Sequence, residues 1–284
     1  MIQDIAPHQY DNTYHNQPPC PDSYILYFEE RTALLYHTEE TFDFPRFRDL
    51  PEDFTNEAEN SDSYTYLFSI DEETFFLINR LPASMPEGFV MENIQYFRGG
   101  APRYLAFAGI TGYQLFVWYR SRQFCGRCGL PLRKDKKERM MYCDNCHQAE
   151  YPKISPAVII GVTDGNRLLL SKYAGRGYKR YALLAGFSEI GETLEETVKR
   201  EVMEEVGLKV TNIRYYKNQP WSFSDTLLVG FFCDLESPDE IRLDQNELAL
   251  AQWFEREDIP LEDDTHASLT HEMIRYFKDG HVNP

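Results

Sequence analysis

The chain has 284 residues, 42% hydrophobic, 14% aromatic and 26% charged, with a formal net charge of −17. That length suggests about two domains, and the composition excludes wholesale disorder, collagen-like repeats and coiled coil. The negative balance disfavours a long polyanionic partner. No apolar run approaches the ~18–20 residues of a membrane span, and Met1-Ile2-Gln3-Asp4 lacks a secretory signal's basic start, so a cytoplasmic protein with no membrane partner is expected.

Residues 1–17 mix Gln, Asn, His and Asp and read as a loose arm. Aromatic and β-branched runs at Ser23–Phe28, Thr32–Tyr36, Tyr64–Ile70 and Thr74–Ile78 predict strands, with a polar loop at 51–63 between them. This region is β-rich, and residues 1–100 carry 5 basic and 19 acidic side chains. From Ala101 to Arg122, Leu105, Ala108, Tyr113, Phe116 and Val117 fall at helical spacing. Beyond Pro152 the pattern becomes α/β. Val158–Val162 and Leu168–Ser171 flank Asp164-Gly165-Asn166, a hairpin signature. A helix at 193–206, strands at 210–216, 227–235 and 250–254, and a closing helix at 267–278 follow. Residues 101–180 carry 15 basic and 5 acidic side chains, a field that suits a small anionic ligand.

Between the two parts lie Cys125-Gly-Arg-Cys128 and Cys143-Asp-Asn-Cys146, fourteen residues apart. Two such knuckles can set four thiolates tetrahedrally around zinc. Four sulfur ligands leave no open position for water, so the zinc is expected to be structural. Arg133, Lys134, Lys136, Lys137 and Arg139 suit an exposed hairpin, and His147 reads as a bystander. Cys20 and Cys233 lie outside the pattern.

The segment Gly186–Leu208 carries the most chemistry. Gly186 and Gly191 mark a loop entering a helix, and Gly207 stands where a left-handed cap ends one. Glu201 and Glu205 lie four apart on one face, with Glu204 beside them, and like charges at that spacing repel. A divalent cation would relieve the repulsion, and carboxylates suit Mg²⁺ or Mn²⁺. Leu194, Val198, Val202 and Val206 form the burying stripe. On carboxylates alone, a solvated acidic helix competes with a metal site.

The full pattern decides between them. Gly186, five residues, Glu192, seven residues, Arg200-Glu201, apolar, any, Glu204-Glu205, any, Gly207, apolar resembles the Nudix box at all nine fixed positions. That resemblance implies a hydrolase of nucleoside diphosphates linked to another group. It implies that Glu201, Glu204 and Glu205 bind Mg²⁺ or Mn²⁺, that Arg200 orients them, and that Glu192 assists.

The segment Asn218-Gln219-Pro220-Trp221-Ser222-Phe223-Ser224-Asp225-Thr226 is similar to the Ser-Gln-Pro-Trp-Pro-Phe-Pro-any-Ser motif of Nudix NADH pyrophosphatases. Gln219, Pro220, Trp221 and Phe223 match; Ser222 and Ser224 replace prolines, which loosens the expected loop. Tyr151-Pro152-Lys153-Ile154-Ser155-Pro156 and Leu184-Ala185-Gly186-Phe187 resemble the same subfamily, whereas Ser268-Leu269-Thr270-His271 departs from its Ser-Ile-Ala-Arg. The resemblance implies an α+β protein: a β-rich N-terminal domain at 1–122, a zinc ribbon at 123–153 and a Nudix α/β/α sandwich at 154–284. It implies that Phe187, Gln219, Trp221 and Phe223 contact substrate, with Tyr151 from a neighbouring chain of a homodimer. Glu247 falls where the subfamily has a further metal-binding or catalytic carboxylate. The expected reaction is metal-dependent hydrolysis of NAD(H) to nicotinamide mononucleotide and AMP. Removal of NAD caps from RNA, hydrolysis of ADP-ribose and a non-catalytic nucleotide sensor are the alternatives.

Overall fold

Short aromatic strands build the first part of the chain. The computed structural model describes residues 1–38, 40–51, 63–82, 87–175, 180–236, 238–261 and 268–282; nearly all of the loop expected at 51–63 lies outside them. Two units are present, Ile2–Lys153 with Ser222–Ser224, and Met1, Ile154–Trp221 and Asp225–Pro284.

In the first unit, strands β1 (Tyr10–Asp11), β2 (Tyr24–Leu26), β3 (Phe28–Glu29), β4 (Thr32–His37), β5 (Phe42–Asp43), β6 (Tyr64–Ile70), β7 (Glu73–Ile78) and β8 (Phe89–Asn93) form two sheets. One runs β1-β6-β7-β2; the other runs β3-β4-β5, with β8 also pairing β4. Residues 1–17 are therefore not simply a loose arm. Tyr10 and Asp11 pair with Ile70 and Ser69, and His8 bonds Asp71 at 2.8 Å while stacking on Tyr104.

Helix α1 (Arg103–Ser121) follows. Its apolar stripe is wider than the spacing suggested: every residue from Leu105 to Ile110 is buried, because the helix packs against β6, β7 and the short 3-10 turn Ile94–Arg98. The ribbon strands β9 (Arg133–Lys134), β10 (Met141–Tyr142) and β11 (Ala149–Glu150) form an antiparallel sheet in the order β11-β10-β9. Its basic residues are not all solvated, as expected of an exposed hairpin. Lys134 Nζ donates to Thr65 Oγ1 at 2.5 Å, and Arg139 donates to the Leu67 carbonyl. Two cations thus tie the ribbon to β6.

The second unit is a sheet between two helices. Strands β12 (Ser155–Asp164), β13 (Arg167–Tyr173), β14 (Leu184–Phe187), β15 (Val210–Trp221), β16 (Thr226–Leu235) and β17 (Leu248–Glu255) run in the order β15-β16-β12-β13-β17, with β14 pairing β12. The predicted β12–β13 hairpin is present, Asp164 opposite Arg167. Period-2 alternation along β12 divides the core. Val158, Ile160 and Val162 pack with Val198, Val202 and Val206 of helix α2 (Leu194–Val206). Ile159 packs with Leu269, Met273 and Phe277 of helix α3 (Leu269–Lys278) on the opposite face. Helix–sheet–helix layering, the expected α/β/α sandwich, follows from that alternation.

Candidate active site

Strand β14 delivers the chain into α2 across 188–193. Two local devices fix the helix start. Glu192 Oε2 accepts from the Glu189 amide at 3.1 Å and from the Thr197 hydroxyl at 3.0 Å. Thr193 and Glu196 form a reciprocal capping box, satisfying amides that a helix start leaves open. At the other end Gly207 takes φ 70°, and its N–H donates to Met203. That left-handed conformation is cheap only for glycine.

Because Val198, Val202 and Val206 anchor one face against the sheet, the positions of the glutamates follow. Glu201 and Glu205 sit on the flank of the buried stripe and are themselves buried; Glu204 points outward and is exposed. Arg200 gathers the cluster. Its Nε and Nη2 make a bidentate pair with Glu192 at 2.6 and 3.0 Å. Nη1 donates to Glu201 at 2.8 Å and Glu204 at 2.9 Å. Nη2 also donates to the Phe187 carbonyl at 2.9 Å. One planar guanidinium therefore sets three carboxylates and the backbone beside Phe187, a geometry lysine could not reproduce. The Arg200 pair, then the Glu189 amide, pull the Glu192 carboxyl down to about 2.

Glu205 is the opposite case. Burial, followed by the charges of Glu201 and Glu247, pushes its carboxyl up to about 8. Its Oε2 is buried and has no hydrogen-bond partner among the described residues. Glu201 is likewise raised, by burial above all, against the pull of Arg200. Glu247 is exposed on the stretch before β17. An orphaned carboxylate oxygen beside two more carboxylates is unfavourable for a stability site. It fits a divalent cation with hard oxygen ligands. Asp244, which sequence reasoning did not single out, also bears on Glu205 by charge and donates its amide to the Glu205 carbonyl at 3.0 Å. Only its place three residues before Glu247 pointed to it.

Gly186 explains the close approach of β14 to α2. A Cβ there would lie 1.9 Å from Glu201 Cδ and 2.0 Å from its Oε1. The carboxylate occupies the space that any other residue would fill.

The expected substrate residues are not all where the sequence suggested. Phe187 is 56% exposed beside the cluster, free to present a ring face. Asn218–Trp221 form the end of β15 rather than a loop, because β16 pairs them in register, Trp221 opposite Thr226. Gln219 is fully buried, and its Oε1 accepts from the Leu269 amide at 2.7 Å. It holds the start of α3. Trp221 is half-buried at the strand end. Phe223 belongs to the first unit, where it is buried with the Arg98 guanidinium 4.9 Å from its ring. Tyr151 is also in that unit, exposed, and donates to Glu138 at 2.9 Å.

The cysteine cluster is tighter. The sulfurs of Cys125, Cys128, Cys143 and Cys146 all lie within 4.8 Å of one another. Cys125–Cys146 and Cys128–Cys143 are 3.4 and 3.5 Å apart. A tetrahedron with Zn–S near 2.3 Å has edges of about 3.8 Å, so the donor set fits zinc. Backbone amides of Cys128 and Arg127 draw the Cys125 thiol down to about 6, and the Cys146 amide foremost lowers Cys143, whereas its contact with Cys125 pushes the Cys146 thiol up to about 12. His147 Nδ1 is engaged with the Tyr142 hydroxyl at 2.8 Å. No other group of three or more His, Cys, Asp or Glu among the described residues is so closely gathered.

The NUDIX domain family matches residues 153–277, and the NADH pyrophosphatase zinc ribbon domain matches residues 120–151. The chain is 43% identical over 150 residues to the NAD-capped RNA hydrolase NudC of Salmonella paratyphi C, covering 53% of this chain and 58% of that protein. It is 42% identical over 150 residues to the protein of the same name from Klebsiella pneumoniae, with the same coverage. The chain spans little more than half the length of these curated relatives. A NUDIX hydrolase crystal structure from Nitrosomonas europaea aligns with TM-score 0.48 and 26% identity, over 56% of this chain and 92% of that one. Residues 120–151 thus match an NADH pyrophosphatase zinc ribbon and residues 153–277 a Nudix domain.

Proposed function

We propose that the protein is an enzyme that hydrolyses the diphosphate of NAD(H), giving nicotinamide mononucleotide and AMP. The observation that carries this is the Glu201–Glu205 cluster, with its orphaned Oε2 and its organising arginine. Glu201, Glu204, Glu205 and Glu247 would hold Mg²⁺ or Mn²⁺. The bound cation would neutralise the diphosphate and favour ionisation of the attacking water. Arg200 keeps the carboxylates pre-oriented, so little reorganisation is needed as charge develops. Water oxygen bonds to one phosphorus, the bridging P–O bond breaks, and a carboxylate of this set accepts the water proton. Phe187 offers a ring face for a base or nicotinamide, with Trp221 as a second aromatic. The four cysteines hold a structural zinc.

The division at 1–122, 123–153 and 154–284, cytoplasmic residence and a homodimer, with Tyr151 and Phe223 contributing to substrate binding, belong to the same proposal. No helix among the described residues is long and apolar enough to cross a membrane. A second reading, removal of NAD caps from RNA, is favoured by the name of the relatives; it uses the same bond and the same cluster. Product analysis with NADH, NAD⁺, ADP-ribose and NAD-capped RNA, each with Mg²⁺ and with Mn²⁺, tests the proposal. Reduced nicotinamide mononucleotide plus AMP as the fastest products supports it. Faster cleavage of capped RNA supports the second reading, and preference for ADP-ribose overturns both.

A further inference from the structure

A cavity of about 910 Å³ opens within the first unit, where β3, α1 and the ribbon strands β9 and β10 converge. That volume is in the range of small-molecule sites, and none of its lining belongs to the acidic cluster. The half-buried rings of Tyr27, Phe116 and Tyr119 give the cavity an aromatic wall, with the buried Phe28 packed on Phe116 at a centroid distance of 5.4 Å. Three cations and two carboxylates share the lining: Arg31, Arg120 and Lys134 with Glu29 and Glu30; Lys134 is engaged by Thr65, which leaves the two arginines. Arg31 is held by the two-residue turn between Glu29 and Thr32, which are directly paired. Arg120 sits on the last turns of α1, its guanidinium 5.8 Å from the Phe116 ring centroid. Both are exposed, and among the described residues neither has an ion-pair partner. Arg46 and Arg48, by contrast, pair with Glu73 and Asp22. The Glu29 carboxylate, also in the lining, accepts from the Tyr27 hydroxyl at 2.6 Å and is thereby held in place.

We propose that this cavity is a second ligand site, distinct from the acidic cluster, for a nucleoside monophosphate. Two unpaired guanidiniums suit a phosphate dianion. The aromatic wall suits a planar base, and Glu29 can accept from an exocyclic amino group or a ribose hydroxyl. A bare anion would gain only the arginines, and a neutral aromatic only the wall. The inference does not depend on the reaction proposed for the acidic cluster.

The test is photolabelling of the full-length, zinc-loaded protein with 8-azido-AMP, mapped by peptide mass spectrometry. Adducts are expected in peptides spanning 27–32 or 116–123. Unlabelled AMP should compete at least about tenfold better than adenosine, the loss expected for one charge-assisted hydrogen bond. The R31E/R120E double variant should lose that labelling while adducts elsewhere persist. R31Q alone, a milder change at an exposed residue, should weaken it in the same direction if the double variant folds poorly. Labelling confined to residues 154–284, adenosine competing as well as AMP, or labelling of 27–32 and 116–123 unchanged in the folded variants overturns the proposal.

Discussion

Replacing Gly186 with alanine tests how closely the acidic cluster depends on backbone placement. The added Cβ would lie 1.9 Å from Glu201 Cδ and 2.3 Å from its Oε2, against an ordinary contact of about 3.5 Å or more. Glu201 or β14 must therefore move by more than about 1 Å. The strand is pinned by β12, Val158 opposite Gly186, and the helix by its fully buried valines, so the carboxylate is the element that yields. Its 2.8 Å bond to Arg200 would be lost. Overpacking costs about 1–3 kcal/mol of stability, which a folded domain can tolerate. Misplacing a catalytic group by about 1 Å costs about a hundredfold in rate. The G186A variant should thus bind Mn²⁺ more weakly in a calorimetric titration and lose at least about a hundredfold in kcat/KM on NADH, while its circular dichroism spectrum is retained. Wild-type Mn²⁺ affinity and turnover in G186A would refute the reasoning.

Three further outcomes are expected. Cys143→Ser should lower zinc content from one equivalent to near zero by elemental analysis and lower Tm, because ribbon folding is coupled to metal binding; full zinc retention would contradict the four-sulfur site. Gln219→Ala should destabilise the protein by about 1–3 kcal/mol in urea, since the buried Leu269 amide loses its acceptor; unchanged stability with a raised KM would show that Gln219 acts on substrate and not on α3. Asp234 is held below its ordinary range by the bidentate Arg214 pair at 2.7 and 2.8 Å, and also by Asn212. With the folded value depressed, its contribution is complete above the unfolded value of about 3.9 and is lost as pH falls through the folded value. The difference in stability between wild type and D234N should be about 1 kcal/mol or less near pH 7, the pair being one-third exposed, and should shrink below about pH 4. A difference that grows on acidification would reverse the assignment.

Local pattern carried much of this structure. The i, i+4 spacing of Val198, Val202 and Val206 gave the buried stripe of α2, and with it the burial of Glu201 and Glu205. The spacing of the four cysteines gave a cluster that the sulfur distances match. What the sequence hid was long-range. Nothing local says that Arg139 reaches the carbonyl of Leu67, or that Tyr10 pairs with Ile70. Gln219 reads as a motif residue until α3 is placed fifty positions later, with the Leu269 amide on its side chain. Asn218–Trp221 read as a loop because the motif is rich in Pro, Ser and Asn, yet pairing with β16 overrides that composition. The orphaned oxygen of Glu205 needs three dimensions, since Glu247 approaches it from another element.

The central claim is that the Glu201–Glu205 cluster performs diphosphate hydrolysis. The most direct measurement is product formation from NADH with Mn²⁺ in wild type and in Glu205→Gln side by side. Wild type should yield reduced nicotinamide mononucleotide and AMP. The variant should lose about a hundredfold or more, a loss of the size expected for a group that stabilises charge in the transition state, with fold and zinc content retained. Turnover by folded Glu205→Gln at the wild-type rate would contradict the account.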